Sequence, residues 1–172
     1  MFQLRPAGRL AACAIALFSL SVAAHARDYT FGELKILHPS SRPTPPSAPT
    51  AIGYLTIVNR GRTADRLIAG STPAAGKLEM HQMSMAGGIM TMRPVAGGLV
   101  IPPGGTLSLA PGGYHLMLSG PKHPFRPGEH IPIALTFEHA GTVKLNLEVE
   151  QPTDAGAAMP GMAMPGGHMD MH

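Results

Sequence analysis

The sequence contains very little of the chemistry on which most metalloproteins and nucleic-acid-binding proteins depend. Of its 172 residues one is cysteine, none is tryptophan and 5% are aromatic. Charged residues make up 13% of the chain, with a formal net charge of +3. The composition therefore excludes a site built from several thiolates. It also gives no support to nucleic-acid binding, which favours basic patches and stacking aromatics.

The first 26 residues have the features of a secretory signal. Arg5 and Arg9 supply a basic segment, residues 11–24 are small or apolar, and Ala24-His25-Ala26 offers a small-x-small cleavage site. The apolar run is too short to span a bilayer permanently. Residues 10–13 resemble a lipoprotein box, but there the apolar segment follows the cysteine instead of preceding it. We predict cleavage after Ala26, export to the periplasm and no stable membrane anchor.

Cleavage would leave 146 residues and remove Cys13, so the mature chain would hold neither a disulfide nor a thiolate. The loss of two arginines lowers the net charge to +1, and the high isoelectric point then says little about partners. A chain of this length suits one domain with an adequate core. We place that domain at residues 27–150.

Short runs of period-two hydrophobicity, bounded by Gly, Pro and Asn, fill this domain. No capped run of twelve or more residues shows helical spacing. The runs predict strands at residues 29–38, 51–58, 65–70, 77–83, 89–95, 99–101, 106–109, 114–118, 130–137 and 142–149. This pattern predicts an all-β fold, a single antiparallel Greek-key β-sandwich or barrel.

The composition changes after Glu150. From Pro152 onward there is no Leu, Ile, Val or aromatic residue, so we predict that residues 151–172 form a disordered tail. The tail is nevertheless rich in potential copper ligands, namely Met159, Met162, Met164, His168, Met169, Met171 and His172.

Methionine is confined to a few places. Apart from Met1, it occurs only in residues 80–92, at Met117 and in the last fourteen residues, beside histidine. Methionine that fills gaps in a core should instead be scattered among the aliphatic positions. Thioether sulfur next to imidazole suits a soft cation, Cu(I) foremost, whereas zinc and calcium favour thiolate or oxygen donors.

Strand periodicity brings these side chains together, since residues i and i+2 share a face. His115 and Met117 form one such pair, His81 and Met83 a second, and Met90 and Met92 a third. A site of three or four neutral donors can therefore be assembled from one hairpin and one later strand. The remaining mature-chain histidines lack methionine neighbours, and we assign no metal role to His38, His123, His130 and His139.

The sequence 81–117, with His81, Met92 and His115-Leu116-Met117, resembles the His…Met…His-x-Met signature of the periplasmic copper chaperones called PCu(A)C. The similarity extends over about residues 29–149, including Gly53-Tyr54-Leu55-Thr56-Ile57 and Gly112-Gly113-Tyr114. Two departures are a gap before His115 that is one residue longer, which we place at Gly97-Gly98, and Ser40 where the family often has tryptophan.

This resemblance implies a cupredoxin-like fold with Cu(I) held by His81, Met92, His115 and Met117. It also implies delivery of copper to the Cu(A) centre of cytochrome c oxidase, directly or with a Sco-type protein. Met83 and Met90 are candidate auxiliary ligands, and the tail is a candidate second site for Cu(II) or Cu(I). We expect a shallow, exposed domain site from which an acceptor can take the ion.

Other functions stay open at this point. Storage or detoxification would use the same ligands without a dedicated acceptor. Cleavage after Ala24 would make His25 the mature N-terminus and could begin a copper oxygenase site, although methionine-rich surroundings stabilise Cu(I) rather than activate oxygen. An electron-transfer cupredoxin is disfavoured because the required thiolate is absent from the mature chain. We predict a protein that is not an enzyme.

Overall fold

The structure, a computed structural model, describes residues 28–151, and within this range every regular element is a β-strand. The same range contains no helix with the length and hydropathy that a membrane span requires. The strands are β1 (Tyr29–Phe31), β2 (Leu34–Ser41), β3 (Thr50–Asn59), β4 (Asp65–Ser71), β5 (Ala75–Ala86), β6 (Ile89–Pro94), β7 (Leu99–Ile101), β8 (Thr106–Leu109), β9 (Tyr114–Pro121), β10 (His130–Phe137) and β11 (Gly141–Val149).

Eight of these strands form a closed barrel, in the order β5-β9-β8-β3-β2-β11-β10-β4, with β4 pairing back to β5. The closing contact is made at Gly70 opposite Leu78, where a side chain on the glycine would clash with the Leu78 side chain. Two short pairings, β2 with β11 and β8 with β9, are parallel, and the other pairings are antiparallel. The predicted all-β fold is confirmed.

The first predicted strand differs in detail from the structure. We predicted one strand ending at Pro39, whereas the chain turns at Gly32, where φ is +57°, and β1 folds back on β2. Strand β2 then continues to Ser41 because its pairing with β3 skips His38 and Pro39 in a bulge. Proline has no N–H to donate to a neighbouring strand, so within a sheet it is tolerated at a bulge.

The barrel interior is filled by aliphatic side chains from alternate strand positions, among them Leu116 and Leu118 of β9, both 0% exposed. Met80 of β5 belongs to this core and is 6% exposed. From the distribution of methionine we inferred that the 80–92 segment does not contribute methionine to the core, and for Met80 this inference was wrong. The other methionines of the segment do not belong to the core.

A long hairpin of β5 and β6 extends from the barrel. Its two-residue turn is Gly87-Gly88, both with positive φ, at +58° and +78°, as a type I′ turn requires. The next turn contains Gly97 and Gly98, also with positive φ, so the position that we assigned to the extra residue is a turn. Strand β5 lies between β6 and β9, so the hairpin adjoins the strand that carries His115.

Candidate metal centre

Two histidines lie directly opposite each other on adjacent strands. His81 of β5 is the register partner of His115 of β9, and the two ring centroids are 6.0 Å apart with the planes tilted by 37°. Side chains of directly opposed residues project from the same face of an antiparallel sheet. The two imidazoles therefore face one common space.

Both rings are buried, with His81 9% and His115 2% exposed. Three of their ring nitrogens, Nδ1 and Nε2 of His81 and Nε2 of His115, have no hydrogen-bond partner among the described residues. Leaving one buried polar group unpaired typically costs about 1–3 kcal/mol, so such groups are usually paired unless a ligand or ion satisfies them. Two neighbouring imidazoles with free lone pairs are suited to a metal ion.

The remaining nitrogen fixes the orientation of His115. Its Nδ1 lies 3.2 Å from the carbonyl oxygen of Gly113, and since a carbonyl can only accept, Nδ1 carries the proton and donates it. The Nε2 lone pair is thereby left free for coordination. The same carbonyl accepts the backbone N–H of Met83 at 3.0 Å, which ties β5 to the segment that carries His115.

A tight turn places Gly113. The N–H of Gly113 donates to the carbonyl of Ala110 at 3.1 Å, and between them lie Pro111 and Gly112, the latter with φ of +81°. Proline at the second position and a positive φ at the third are the features of a type II turn. The sequence Pro-Gly-Gly thus sets the entry of β9 and, through Gly113, the direction of the His115 ring.

Thioethers surround this pair on the same face. Met117 follows His115 by two positions and is half-buried, and Met83 follows His81 by two and pairs in register with Met92 of β6. Because both i, i+2 neighbours and directly opposed residues share a face, all three sulfurs project from the face of the two imidazoles. The structure therefore brings His81, Met92, His115 and Met117 onto one face of three neighbouring strands.

The depth of the site differs from our expectation. We expected a shallow, exposed site, but both imidazoles are buried and Met92, 39% exposed, is the most open of the four residues. The histidines lie on central strands of the sheet, whereas β6 is an edge strand and leaves Met92 open to solvent. The auxiliary candidate Met90 lies further out, at 59% exposure.

A carboxylate that we did not select from the sequence lies beside the histidines. Glu79 precedes His81 by two positions and pairs in register with Met117, and its Oε2 is 3.8 Å from His81 Nε2. This distance is too long for a hydrogen bond but close enough for Coulomb interaction. The other oxygen binds Lys77 Nζ at 2.7 Å, and this hydrogen bond lowers the pKa of Glu79 below its usual value. The Lys-x-Glu-x-His spacing on one strand was the available signal.

Two of the other described histidines, and Asp65, have roles of their own. His123 pairs with Glu129, and His130 Nδ1 donates to the Gly128 carbonyl. Asp65 accepts three backbone N–H groups. Within residues 28–151, no group of three or more His, Cys, Asp or Glu side chains could hold a metal ion. The predicted signal sequence with His25, and the tail ligands from Met159 to His172, lie outside the described residues.

Comparison with known families adds an independent line of evidence. Residues 34–149, most of the described part of the chain, match the family model described as "Putative lipoprotein LpqE-like". The chain belongs to the LpqE-like family. A curated relative, "Putative lipoprotein Lxx21020" of Leifsonia xyli subsp. xyli, is 34% identical over 94 residues, which are 55% of this chain and 57% of the relative. The chain thus aligns with little more than half of that relative's length.

Solved structures share the fold of this LpqE-like chain. The copper-bound PCuAC domain from PmoF2 is 28% identical, with a TM-score of 0.62, over 73% of this chain and 99% of that domain. The Cu(I) form of DR1885 from Deinococcus radiodurans is also 28% identical, with a TM-score of 0.56, over 74% of this chain and 83% of that protein. The cupredoxin-like fold that the sequence resemblance implied is confirmed. One of these neighbours is a copper-bound PCuAC domain, and the other is a Cu(I) form of its protein.

Proposed function

We propose that this chain is a periplasmic copper chaperone that binds one Cu(I) ion through His81, Met92, His115 and Met117. The observation that carries the proposal is the buried pair of opposed imidazoles with unpaired nitrogens, on the same sheet face as the thioethers. Solved structures with the same fold support it, since the PCuAC domain from PmoF2 is copper-bound and DR1885 is a Cu(I) form.

The donor set suits transport rather than catalysis. Two imidazoles and two thioethers are neutral, so the bound ion keeps its single positive charge. Such ligands favour Cu(I) without the strong binding of thiolates. An acceptor with cysteine thiolates can then take the ion by ligand exchange, which needs neither a redox step nor a proton from a thioether. We propose that the chain is not an enzyme.

The open side of the site indicates how an acceptor would reach the ion. Met92, on the edge strand, is the most exposed of the four proposed ligands. An incoming sulfur would displace Met92 first while the buried imidazoles still hold the ion. We propose the Cu(A) centre of cytochrome c oxidase as the destination, reached directly or through a Sco-type protein. The tail methionines and histidines would capture additional Cu(II) or Cu(I) and raise its local concentration.

An anaerobic Cu(I) titration tests the domain site. The reference is a full-length mature chain in which the tail methionines are changed to leucine and the tail histidines to asparagine, here called the tail-silenced chain. We expect it to bind one Cu(I) in competition with a chromophoric chelator, against two for the unmodified chain. Binding should be lost when His115→Gln and Met117→Leu are combined. Retention of full affinity by that double variant would refute the assignment.

Two matched controls separate ligand loss from general damage. Met80→Leu removes a thioether from the same strand as His81, but from its core-facing side, and His123→Gln removes an imidazole that pairs with Glu129. Both should leave Cu(I) affinity unchanged within about twofold, well inside the tenfold that 1.4 kcal/mol represents.

Delivery, and with it the distinction from storage, needs an acceptor. The copper-loaded mature chain is mixed with the apo Cu(A) domain of cytochrome c oxidase or with a reduced Sco-type protein, and copper is followed after separation. Transfer supports a chaperone, and retention in the presence of excess acceptor supports storage. The intact mass of the exported protein shows whether cleavage follows Ala26 or Ala24, or whether Cys13 carries lipid. An N-terminal His25 would reopen the oxygenase alternative.

A further inference from the structure

The β5–β6 hairpin has two chemically different faces. Ser84 and Thr91 are register partners, and their hydroxyl oxygens are 2.9 Å apart in a hydrogen bond. This contact establishes that the even-numbered positions of β5 and the odd-numbered positions of β6 share one face, with Gln82, Arg93 and Ile89. The opposite face of the hairpin carries four methionines in two directly opposed pairs, Met83 with Met92 and Met85 with Met90.

These pairs form a continuous series that leads to the histidines. Successive same-face positions on a strand are about 6.8 Å apart, so each pair is one such step from the next. Exposure decreases inward along β5, from 67% at Met85 to a half-buried Met83 and 9% at His81. On β6, Met90 is 59% exposed and Met92 39%. The methionine-bearing face of the hairpin therefore extends continuously from the exposed Met85 and Met90 to the buried imidazoles.

Burial does not explain the outer pair. Met85 and Met90 are among the most exposed large apolar side chains of the described residues, on a hairpin whose outer strand, β6, is an edge strand. Flexible thioethers have one property that aliphatic side chains lack, which is the capacity to ligate a soft cation. Because Met85 and Met90 are the outermost pair of the series, an ion bound there lies at the solvent-exposed end of a path to the histidines.

We propose that Met85 and Met90 form an entry site for Cu(I), and that the ion passes by the Met83–Met92 pair to the His81–His115 site. The proposal rests on the copper-binding function proposed above. Each step exchanges one thioether for another or for a neutral imidazole, so no electron or proton moves. Two exposed thioethers bind Cu(I) more weakly than the mixed imidazole and thioether set, and the difference in affinity drives the ion inward.

The test separates loading rate from equilibrium affinity. In the tail-silenced chain, Met85→Leu with Met90→Leu keeps the apolar surface and removes both sulfurs. We expect equilibrium Cu(I) affinity within about twofold of the reference. Loading from a Cu(I)–chelator complex, followed by stopped flow, should be at least about tenfold slower, because capture close to the site is lost. Loading at the reference rate would overturn the proposal.

Two further variants identify the cause of any slowing. Ser84→Ala with Thr91→Ala alters the polar face of the same hairpin, and its loading rate should equal the reference. Met85→Ser with Met90→Ser removes both sulfur and apolar area. If the serine pair is slow while the leucine pair is normal, the surface acts as an apolar docking site, and the thioether proposal is wrong.

Direct occupancy is measured with Ag(I), a closed-shell substitute for Cu(I). In a tail-silenced chain that also carries His81→Gln and His115→Gln, we expect Ag(I) to shift the methyl resonances of Met85 and Met90, and unshifted resonances would refute the entry site. Failure of the proposed function is a different result, since the reference chain itself would then bind no Cu(I). In that case Ag(I) would still shift the hairpin methionine resonances, but there would be no rate of Cu(I) loading at the histidine site to compare.

Discussion

His81 and His115 oppose each other on neighbouring antiparallel strands, 6.0 Å apart between ring centroids, and three of their four ring nitrogens have no hydrogen-bond partner in the described part of the chain. An apo protein that keeps buried imidazoles unpaired gives up stability that the ion would restore. The relationship therefore links copper binding to folding, and the link can be measured.

The first prediction concerns that link. In the tail-silenced chain, His81→Leu removes two unpaired buried nitrogens, so we expect the apo variant to be at least as stable as its parent. A ligand at 100 times its Kd raises the free energy of unfolding of the parent by about 2.7 kcal/mol. The free energy of unfolding of the variant should hardly change when the ligand is added. Urea unfolding with and without Ag(I) measures both effects. An apo variant that is less stable by about 2 kcal/mol or more would instead make His81 a structural residue.

The second prediction concerns Glu79. Its carboxylate, 3.8 Å from His81 Nε2, contributes negative charge next to a site whose own ligands are neutral. We expect Glu79→Gln to weaken Cu(I) binding about two- to fivefold, a modest effect because the group faces solvent. Chelator competition at low and high salt measures it, and the effect should shrink at high salt. Glu138→Gln, which removes a carboxylate paired with Arg66 instead, is the control and should change nothing.

Strand periodicity was sufficient to predict the fold class and the shared face of the site, because alternation requires no knowledge of tertiary contacts. It placed His115 with Met117 and Met90 with Met92 on common faces, and the register confirms this for both pairs. It also treated residues 29–38 as one strand, since the turn at Gly32 depends on β1 folding back over β2.

The burial of the histidines could not be predicted in the same way. Whether a strand is central or at the edge depends on which strands pair, and β5 lies between β6 and β9 only in the folded barrel. For the same reason Met80 was not recognised as a core residue. The core-facing side and the outer side of β5 could be told apart only when the direction of the barrel interior was known.

The third prediction concerns the turn before β9. Gly112 has φ of +81° and a side chain there would meet no atom, so Gly112→Ala is opposed by backbone conformation alone. We expect a loss of about 1–2 kcal/mol in the free energy of unfolding, together with weaker Cu(I) binding because Gly113 orients the His115 ring. Gly113→Ala is the matched control, since Gly113 lacks a positive φ and its added methyl would make only an ordinary contact with Ala110. Equal effects of the two variants would contradict this account of the turn.

The fourth prediction concerns Asp65, which begins β4 and accepts the backbone N–H groups of Arg66 at 2.7 Å and of His139 and Ala140 at 3.0 Å each. Burial raises the pKa of this carboxyl, but the three hydrogen bonds outweigh burial and hold the pKa below the ordinary value of 3.8. Ionised Asp65 therefore stabilises the folded state at neutral pH, and this stabilisation is lost as the pH falls through the folded-state pKa.

We expect Asp65→Asn to lower the free energy of unfolding at pH 7 by about 1–3 kcal/mol, because the amide presents a donor where the carboxylate accepts. The difference from the parent should stay constant down to about pH 5 and shrink below about pH 4, where the parent carboxyl begins to take up a proton. Urea unfolding of the copper-free protein at several pH values measures this difference. Asp28→Asn, which removes an exposed partner of Lys35, should stay close to the parent at every pH. A difference for Asp65→Asn that persisted unchanged at pH 3 would show that the charge of Asp65 is not what holds the β10–β11 turn against β4.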